Sequence, residues 1–250
     1  MNLTVLGASG GLGGLTGSIC VQINNQLILD AGTGLMQLPL KSLQRIRNIV
    51  LTHSHSDHIC CLPQLLAMLA ATTSAKDPVT IYAHPDTILS LRQHVFNWQI
   101  WPDFEQTQPN DAPVIRWHEL QPDTAITIAG VTFTPFLTHH GVPTLGFAIV
   151  KDQQTTLWVS DTGYSAALVK RLNEFDRADH LVLECSFPNE LENVARKSYH
   201  LTPALCLQLV NELTQPPQAI WLNHLKPDLA DVIHRQLRAA APAQGWQVLL

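Results

Sequence analysis

Charged residues are scarce in this chain of 250 residues: Asp, Glu, Lys and Arg make up 14% of it, about half the usual share. Hydrophobic residues make up 46%, which excludes a disordered or fibrous chain. No apolar run approaches the roughly 18 residues that a membrane-spanning helix needs. The net charge of −5 argues against a protein that grips nucleic acid through a basic surface. The composition therefore predicts a globular protein with a large buried core.

Cysteine is also sparse, and the five cysteines form no C-x-x-C pair. An odd, unpatterned set argues against a disulfide framework and favours buried free thiols. The N-terminal residues lack the basic region and apolar stretch of a signal peptide, so a cytoplasmic location is expected. The cysteines are Cys20, Cys60, Cys61, Cys185 and Cys206.

Strand and helix patterns follow one another in a similar order in each half of the chain. Hairpins with alternating hydrophobic residues come first, and alternating helices and strands follow. This order predicts an α/β fold of two packed sheets covered by helices on their outer faces. No linker is visible, so a single domain over residues 1–250 is expected. Strands are predicted at 3–6, 19–23, 27–29, 48–52, 79–83, 114–119, 125–128, 131–137, 145–150, 155–160, 181–185, 219–223 and 246–249, and helices at 62–71, 85–98 and from 165, 203 and 228.

Histidine is the residue type that the chain has in abundance, with 12 copies against 15 Lys and Arg together. Three of them lie in the segment His53-Ser54-His55-Ser56-Asp57-His58, between a predicted strand and a predicted helix. Side chains at i and i+2 leave a strand end on one side, and Asp57 and His58 can turn back towards them. Imidazole nitrogens and a carboxylate suit divalent first-row metals. The segment therefore predicts a metal site rather than a solvated polar turn.

The H-x-H-x-D-H pattern resembles that of the metallo-β-lactamase fold superfamily. The resemblance implies a four-layer αββα sandwich with two mixed β-sheets, and two divalent metal ions, with zinc first and manganese or iron as alternatives. It also implies that Asp161, in Asp161-Thr162-Gly163, bridges the metals and that His140 and His224 complete the ligand set. Only one of His139 and His140 can face the site, and His140 matches because Gly-Val-Pro follows it. The implied metal ligands are His53, His55, Asp57, His58, His140, Asp161 and His224.

Asp161, His224 and His200 also have ordinary structural interpretations. Asp161 is suited to capping a helix or closing a turn, and His224 to an exposed strand end. His200 lies just before Thr202-Pro203, which is typical of a helix start. The helix start accounts for Thr202 and Pro203 but not for the imidazole of His200.

Four further segments are similar to the class II cyclic-nucleotide phosphodiesterases. They are Glu184-Cys185-Ser186-Phe187-Pro188-Asn189, His200-Leu201-Thr202-Pro203, Phe96-Asn97-Trp98-Gln99-Ile100-Trp101-Pro102 and His224-Leu225-Lys226. The resemblance implies hydrolysis of 3′,5′-cyclic AMP or GMP to the 5′-nucleotide by a metal-bridging hydroxide. Ser56 and Tyr199 depart from the family pattern, which leaves the substrate range open.

The chemistry of this reaction suggests roles for three residues. Asp57 is suited to orienting or deprotonating the attacking water, and His200 to protonating the leaving 3′-oxygen. Glu184 is suited to holding the tautomer of His200 and raising its basicity. Trp98, Trp101 and Phe104 are candidates for stacking on a base or, more simply, for packing in the core.

Other functions stay open at this point. A tRNA 3′-processing endonuclease or a generic phosphodiesterase would use the same ligands, and a metal-stabilised binding module is the non-enzyme alternative. The glycine-rich residues 7–14 fit a dinucleotide-binding pattern, but a hairpin with a turn at Asn24-Asn25 follows them instead of the required helix. The expected partner is a small-molecule phosphodiester. No association with a membrane is expected, a nucleic acid is not the favoured ligand, and the sequence does not decide whether the protein forms a homodimer.

Overall fold

The computed structural model of the protein describes residues 3–13, 16–74, 77–105, 113–176, 178–240 and 245–249. The chain divides into two compact units. The N-terminal unit comprises Asn2–Gly7 and Gly17–Gln121, and the C-terminal unit comprises Met1, Ala8–Thr16 and Pro122–Leu250. The prediction of a single domain stays a prediction. Among the described residues, no helix is long and apolar enough to cross a membrane.

The sheet of the N-terminal unit has the strand order β2-β1-β3-β4-β5-β6-β7. Its first half is antiparallel, since β3 pairs antiparallel with β1 and β4, whereas β4 to β7 are parallel. The strands are β1 Thr4–Ser9, β2 Gly17–Ser18, β3 Cys20–Asn24, β4 Leu27–Leu29, β5 Asn48–Val50, β6 Val79–Ala83 and β7 Ile115–Glu119. The helices are α1 Leu40–Leu43, α2 Ser56–Ile59, α3 Leu62–Leu69 and α4 Pro85–His94, with a 3-10 helix at Thr33–Gln37.

One face of this sheet packs on α3 and α4. The register places Ile28, Ile49 and Ile81 opposite one another on neighbouring strands, and all three belong to one apolar cluster. Leu62, Leu65, Leu66 and Leu69 of α3 and Ile88 and Leu91 of α4 join this cluster. Because β5 runs parallel to its neighbours, the histidine segment leaves the sheet at the carboxyl end of a parallel strand and passes into α2.

The C-terminal unit repeats this plan with the strand order β14-β13-β12-β11-β10-β9-β8. Strands β8 to β11 are antiparallel, and β11 to β14 are parallel. The strands are β8 Ile126–Ile128, β9 Val131–Leu137, β10 Leu145–Lys151, β11 Gln154–Trp158, β12 His180–Glu184, β13 Ala219–Asn223 and β14 Gln247–Val248. The helices are α5 Ala166–Leu172, α6 Glu192–Lys197, α7 Pro203–Asn211 and α8 Ala230–Ala240, with a 3-10 helix at Asn189–Leu191. Leucines of α5, α7 and α8 share one apolar cluster with β12 and β13.

The two mixed sheets flanked by helices confirm the predicted fold class, and most predicted elements are present. The hairpin turn at Ala129-Gly130 has positive φ at both residues, 47° and 80°, as a tight two-residue turn requires. The strand predicted at 3–6 ends too early, because β1 continues through Gly7 to Ser9, into the glycine-rich residues 7–14. Residue 7 must be glycine here, since a Cβ would collide with the carbonyl oxygens of Gly17 and Ser18.

Helix α4 ends at His94, four residues before the predicted end at Trp98. The side chain of Asn97 accepts hydrogen bonds from the backbone N–H groups of Gln99 and Ile100, which offers the backbone an alternative to the helix. Trp98 takes the left-handed conformation, with φ 65°, and is exposed. The Pro, Asp, Asn and Gln content of residues 101–113 predicts a loop, and part of this loop lies outside the described residues.

Candidate metal centre and acid–base site

The histidine segment forms a compact group in the N-terminal unit. The ring centroid of His53 lies 4.6 Å from that of His55 and 4.2 Å from that of His58. Asp57 lies in the first turn of α2, and its Oδ2 is 3.9 Å from His58 Nε2. His53 and His58 are buried, whereas the side chain of Asp57 is partly exposed. The structure therefore brings together the four N-terminal residues that the sequence predicts as ligands.

A buried carboxylate holds two of these histidines. Asp30 Oδ2 lies 2.7 Å from His58 Nδ1 and accepts a hydrogen bond from Thr52 Oγ1 at 2.8 Å. Thr52 Oγ1 in turn lies 3.0 Å from His53 Nδ1. Burial raises the pKa of Asp30, while the charge of His58 and the hydrogen bonds act in the opposite direction. The same carboxylate thus contacts His58 directly and reaches His53 through the hydroxyl of Thr52.

His140, Asp161 and His224 form the corresponding group in the C-terminal unit. Asp161 Oδ2 lies 3.9 Å from His140 Nε2 and 3.2 Å from His224 Nε2. Asp161 therefore stands between two imidazoles, which suits the predicted bridging carboxylate. The side chain of His140 is buried, whereas His139 is exposed and packs its ring against Tyr199, so His140 is the member of the pair beside Asp161.

Glu184 and His200 form a hydrogen-bonded pair in the same unit. Glu184 Oε1 lies 2.5 Å from His200 Nδ1. Backbone N–H groups of Thr162, Ser186 and Leu201 also donate to the Glu184 carboxylate, which is fully buried. Burial alone would lower the pKa of His200, but the charge and hydrogen bond of Glu184 outweigh it and raise the pKa above its usual value.

His200 also lies close to the C-terminal ligand group. Its ring stacks on His224 with the centroids 5.3 Å apart. One potential ligand atom from each of Asp161, His200 and His224 lies within 4.8 Å of the others. Because Nδ1 of His200 is taken by Glu184, Nε2 is the atom that remains for a proton or for a metal.

The main-chain geometry at His224 depends on the glycine-rich loop. His224 has φ 60° and donates its backbone N–H to the carbonyl oxygen of Ala8. Gly10 packs directly against it: a Cβ at residue 10 would lie 2.7 Å from His224 Nδ1 and would collide with its carbonyl oxygen. The glycine pattern therefore serves close packing beside His224.

The hydrogen bonds of His140 and His58 leave one ring nitrogen of each available to bind a divalent metal. The carbonyl oxygen of Tyr199 can only accept, so His140 Nδ1, 3.0 Å away, carries its proton and leaves Nε2 with the lone pair. The Asp30 carboxylate selects the same tautomer of His58. A metal-binding histidine characteristically donates a hydrogen bond from the N–H group of its second ring nitrogen to a carboxylate or a carbonyl.

Sequence reasoning missed three residues of these networks: Asp30, Thr52 and Ser186. Asp30 is the residue directly after β4 and is the only Asp or Glu between residues 1 and 56, which is the signal that could have marked it. Thr52 directly precedes the histidine segment and Ser186 lies in the quoted segment Glu184–Asn189, but neither position indicates which side chains the hydroxyl contacts. Their roles depend on one long-range contact each, from Thr52 to Asp30 across 22 residues and from Ser186 to His224 across 38 residues.

Comparisons with known proteins bear on this arrangement. The family model described as Beta-lactamase superfamily domain matches residues 25–224. A probable 3′,5′-cyclic-nucleotide phosphodiesterase of Yersinia pestis is 24% identical over 209 residues, which are 74% of this chain and 58% of the relative. A ribonuclease Z of Pyrococcus abyssi is 30% identical over 134 residues, 52% of this chain and 40% of the relative. The chain thus spans only about half the length of these curated relatives.

The fold has solved counterparts. Unliganded yeast PDE1 superposes with a TM-score of 0.80 at 19% identity, covering 99% of this chain and 97% of the other. The short form of human tRNase Z superposes with a TM-score of 0.67 at 22% identity, covering 91% and 94%. The family match covers most of the chain, and each unit contains a cluster of the predicted ligand residues. The chain belongs to the beta-lactamase superfamily, a family of metal-dependent hydrolases with the metallo-β-lactamase fold.

Proposed function

We propose that this protein is a metal-dependent phosphodiesterase that hydrolyses 3′,5′-cyclic nucleotides to 5′-nucleotides. The observation that carries the proposal is the buried Glu184–His200 pair, whose imidazole lies against His224. The leaving oxygen of a phosphodiester needs a proton, and an imidazole held by a carboxylate is suited to donating it. The relatives named as cyclic-nucleotide phosphodiesterases support this choice over other hydrolases.

The seven predicted ligands would hold two divalent cations, with zinc as the first candidate. Bound there, the cations would neutralise the charge of the phosphodiester and would lower the pKa of a water molecule bound to them. Nε2 of His224 and Oδ2 of Asp161 lie 3.2 Å apart, close enough for both atoms to bind the same cation.

The chain's own residues would move the protons. Asp57, partly exposed at the start of α2, would accept a proton from the attacking water. His200 would donate the proton on Nε2 to the 3′-oxygen as the bond between phosphorus and that oxygen breaks. Glu184 would keep Nδ1 of His200 protonated and would stabilise the imidazolium form, which the raised pKa favours.

A second candidate is the cleavage of RNA 3′ ends. It is favoured by the relatives named ribonuclease Z, which reach 30% identity over about half of the chain. The net charge of −5 works against the binding of a large polyanion.

A substrate panel distinguishes these functions. Protein reconstituted with Zn²⁺ or Mn²⁺ is incubated with cyclic AMP, cyclic GMP, bis(p-nitrophenyl) phosphate and a precursor tRNA, and products are separated by chromatography or gel. We expect a 5′-nucleotide from at least one cyclic nucleotide. Cleavage of bis(p-nitrophenyl) phosphate alone would replace the proposal with a generic phosphodiesterase, and cleavage of the tRNA alone with a processing nuclease. Metal binding without any turnover would leave a binding module.

A further inference from the structure

Ser186 is a fully buried hydroxyl at the meeting point of three functional side chains. Its Oγ lies 2.8 Å from Glu184 Oε2, 2.9 Å from His224 Nδ1 and 3.3 Å from His200 Nδ1. It also lies 3.1 Å from the carbonyl oxygen of His224. One hydroxyl proton cannot serve all of these contacts, so the direction of each bond follows from counting protons.

The hydroxyl proton goes to Glu184. The carboxylate oxygen is the closest acceptor and a stronger one than a carbonyl oxygen. The Nδ1 proton of His200 is already committed to Glu184 Oε1 at 2.5 Å. Ser186 Oγ, having given its proton away, can only accept from His224, so His224 Nδ1 carries the proton.

This direction fixes the chemistry of His224. With its proton on Nδ1, the imidazole presents the lone pair of Nε2 towards Asp161 Oδ2. Without the hydroxyl, Nδ1 would lose the acceptor that selects this tautomer. Ser186 also lets one carboxylate act on two histidines, since Glu184 contacts His200 directly and reaches His224 through Oγ.

We propose that Ser186 is a positioning residue that fixes the Nδ1–H tautomer of His224 and couples metal binding at His224 to the Glu184–His200 pair. This rests on the proposed function only in taking His224 as a metal ligand and His200 as the proton donor. Removing a partner of this kind from a metal-binding histidine characteristically costs about 10- to 100-fold in metal affinity.

The test combines two measurements that need no substrate. Metal affinity is measured on the full chain by competition with a chromogenic zinc chelator, and the tautomer of His224 is measured from the ¹⁵N shifts of its ring nitrogens. We expect Ser186→Ala to weaken one of two zinc sites by about 10- to 100-fold and to remove the pure Nδ1–H signature of His224. Ser186→Thr, which keeps the hydroxyl, should retain more of the wild-type affinity than Ser186→Ala.

Thr156→Val is the matched control, because it removes another fully buried hydroxyl of the same unit. Thr156 Oγ1 has no hydrogen-bond partner among the described residues, so this variant should bind zinc as the wild type does. If Ser186→Ala does not fold, the same two measurements are made on Ser186→Cys. This variant keeps a side chain of similar volume but offers only a weak hydrogen-bond donor and acceptor.

Wild-type zinc affinity together with an unchanged tautomer in the folded Ala or Cys variant would overturn the proposal. An equal loss of affinity in the Thr156→Val control would do the same, because it would reveal a general packing effect. If the wild type binds zinc but hydrolyses no cyclic nucleotide, the proposed function fails. The role of Ser186 is then still decided by these two readouts.

Discussion

The two units arrange a carboxylate, a hydroxyl and two histidines in the same way. In the N-terminal unit Asp30 contacts His58 directly and reaches His53 through Thr52. In the C-terminal unit Glu184 contacts His200 directly and reaches His224 through Ser186. All four anchoring residues are fully buried. One buried carboxylate can therefore orient two imidazoles when a hydroxyl extends its reach.

The units differ in what the directly held histidine is proposed to do. His58 belongs to the predicted ligand set, whereas His200 is proposed to donate a proton. Both have Nδ1 bound to a carboxylate, so the difference lies at Nε2 and in the surroundings. The same local network can thus serve metal binding in one unit and proton transfer in the other.

Removing the carboxylate of the N-terminal network should have the largest effect. Asp30→Ala leaves His58 and Thr52 without their buried acceptor, which costs about 3–5 kcal/mol when one partner of a buried pair is lost. We expect a large fall in the free energy of unfolding and loss of metal, measured by urea denaturation and elemental analysis. Asp30→Asn keeps the shape and should fold better while still binding metal weakly. A fully metal-loaded, stable Asp30→Ala protein would contradict the anchoring role.

Replacing His200 should reduce turnover without loss of metal. A general acid contributes about a hundred- to ten-thousandfold to the rate, so His200→Ala should lower kcat by that order on the cyclic nucleotide that proves to be the substrate. Steady-state kinetics on metal-analysed protein provide the measurement. His94→Ala, a change near the end of α4 in the N-terminal unit, is a control that should leave kcat unaltered.

Replacing Glu184 should shift a pH profile. Glu184 raises the pKa of His200, and burial alone would lower it. In Glu184→Gln the proton donor should therefore lose its proton at lower pH than in the wild type. The basic limb of the kcat profile should move to lower pH, measured with the metal content held constant at each pH. A basic limb that stays in place would show that His200 is not the group that limits the rate there.

The smallest predicted effect concerns the glycine that packs against His224. Gly10→Ala would force the backbone and ring of His224 to move, at a cost of about 1–3 kcal/mol for overpacking. Gly11→Ala is the matched control, because a Cβ there would meet only Pro227 Cδ at 3.4 Å. Thermal unfolding should show a lower Tm for Gly10→Ala than for Gly11→Ala. Equal values for the two variants would argue against close packing at residue 10.

Local sequence patterns were sufficient to predict much of the fold and part of the candidate site. The alternation of strands and helices predicted the fold class, and the segment from His53 to His58 predicted a metal site because its candidate ligands lie within six residues. The contacts that Asp30 and Ser186 make did not follow from such local patterns. Asp30 contacts Thr52, 22 residues further along the chain, and Ser186 contacts His224, 38 residues further along. The parallel pairing of neighbouring strands brings these partners together. The short helix α6 was also not predicted, because six residues are too few to show a clear helical periodicity.

The most direct test of the contrast between the two networks is the metal content of two variants, His58→Ala and His200→Ala, beside the wild type. Each protein is reconstituted with zinc, freed of excess metal and analysed for zinc per chain. We predict about two zinc ions for the wild type and for His200→Ala, and fewer for His58→Ala. Equal losses in both variants would make His200 a metal ligand and would contradict its proposed role as the proton donor.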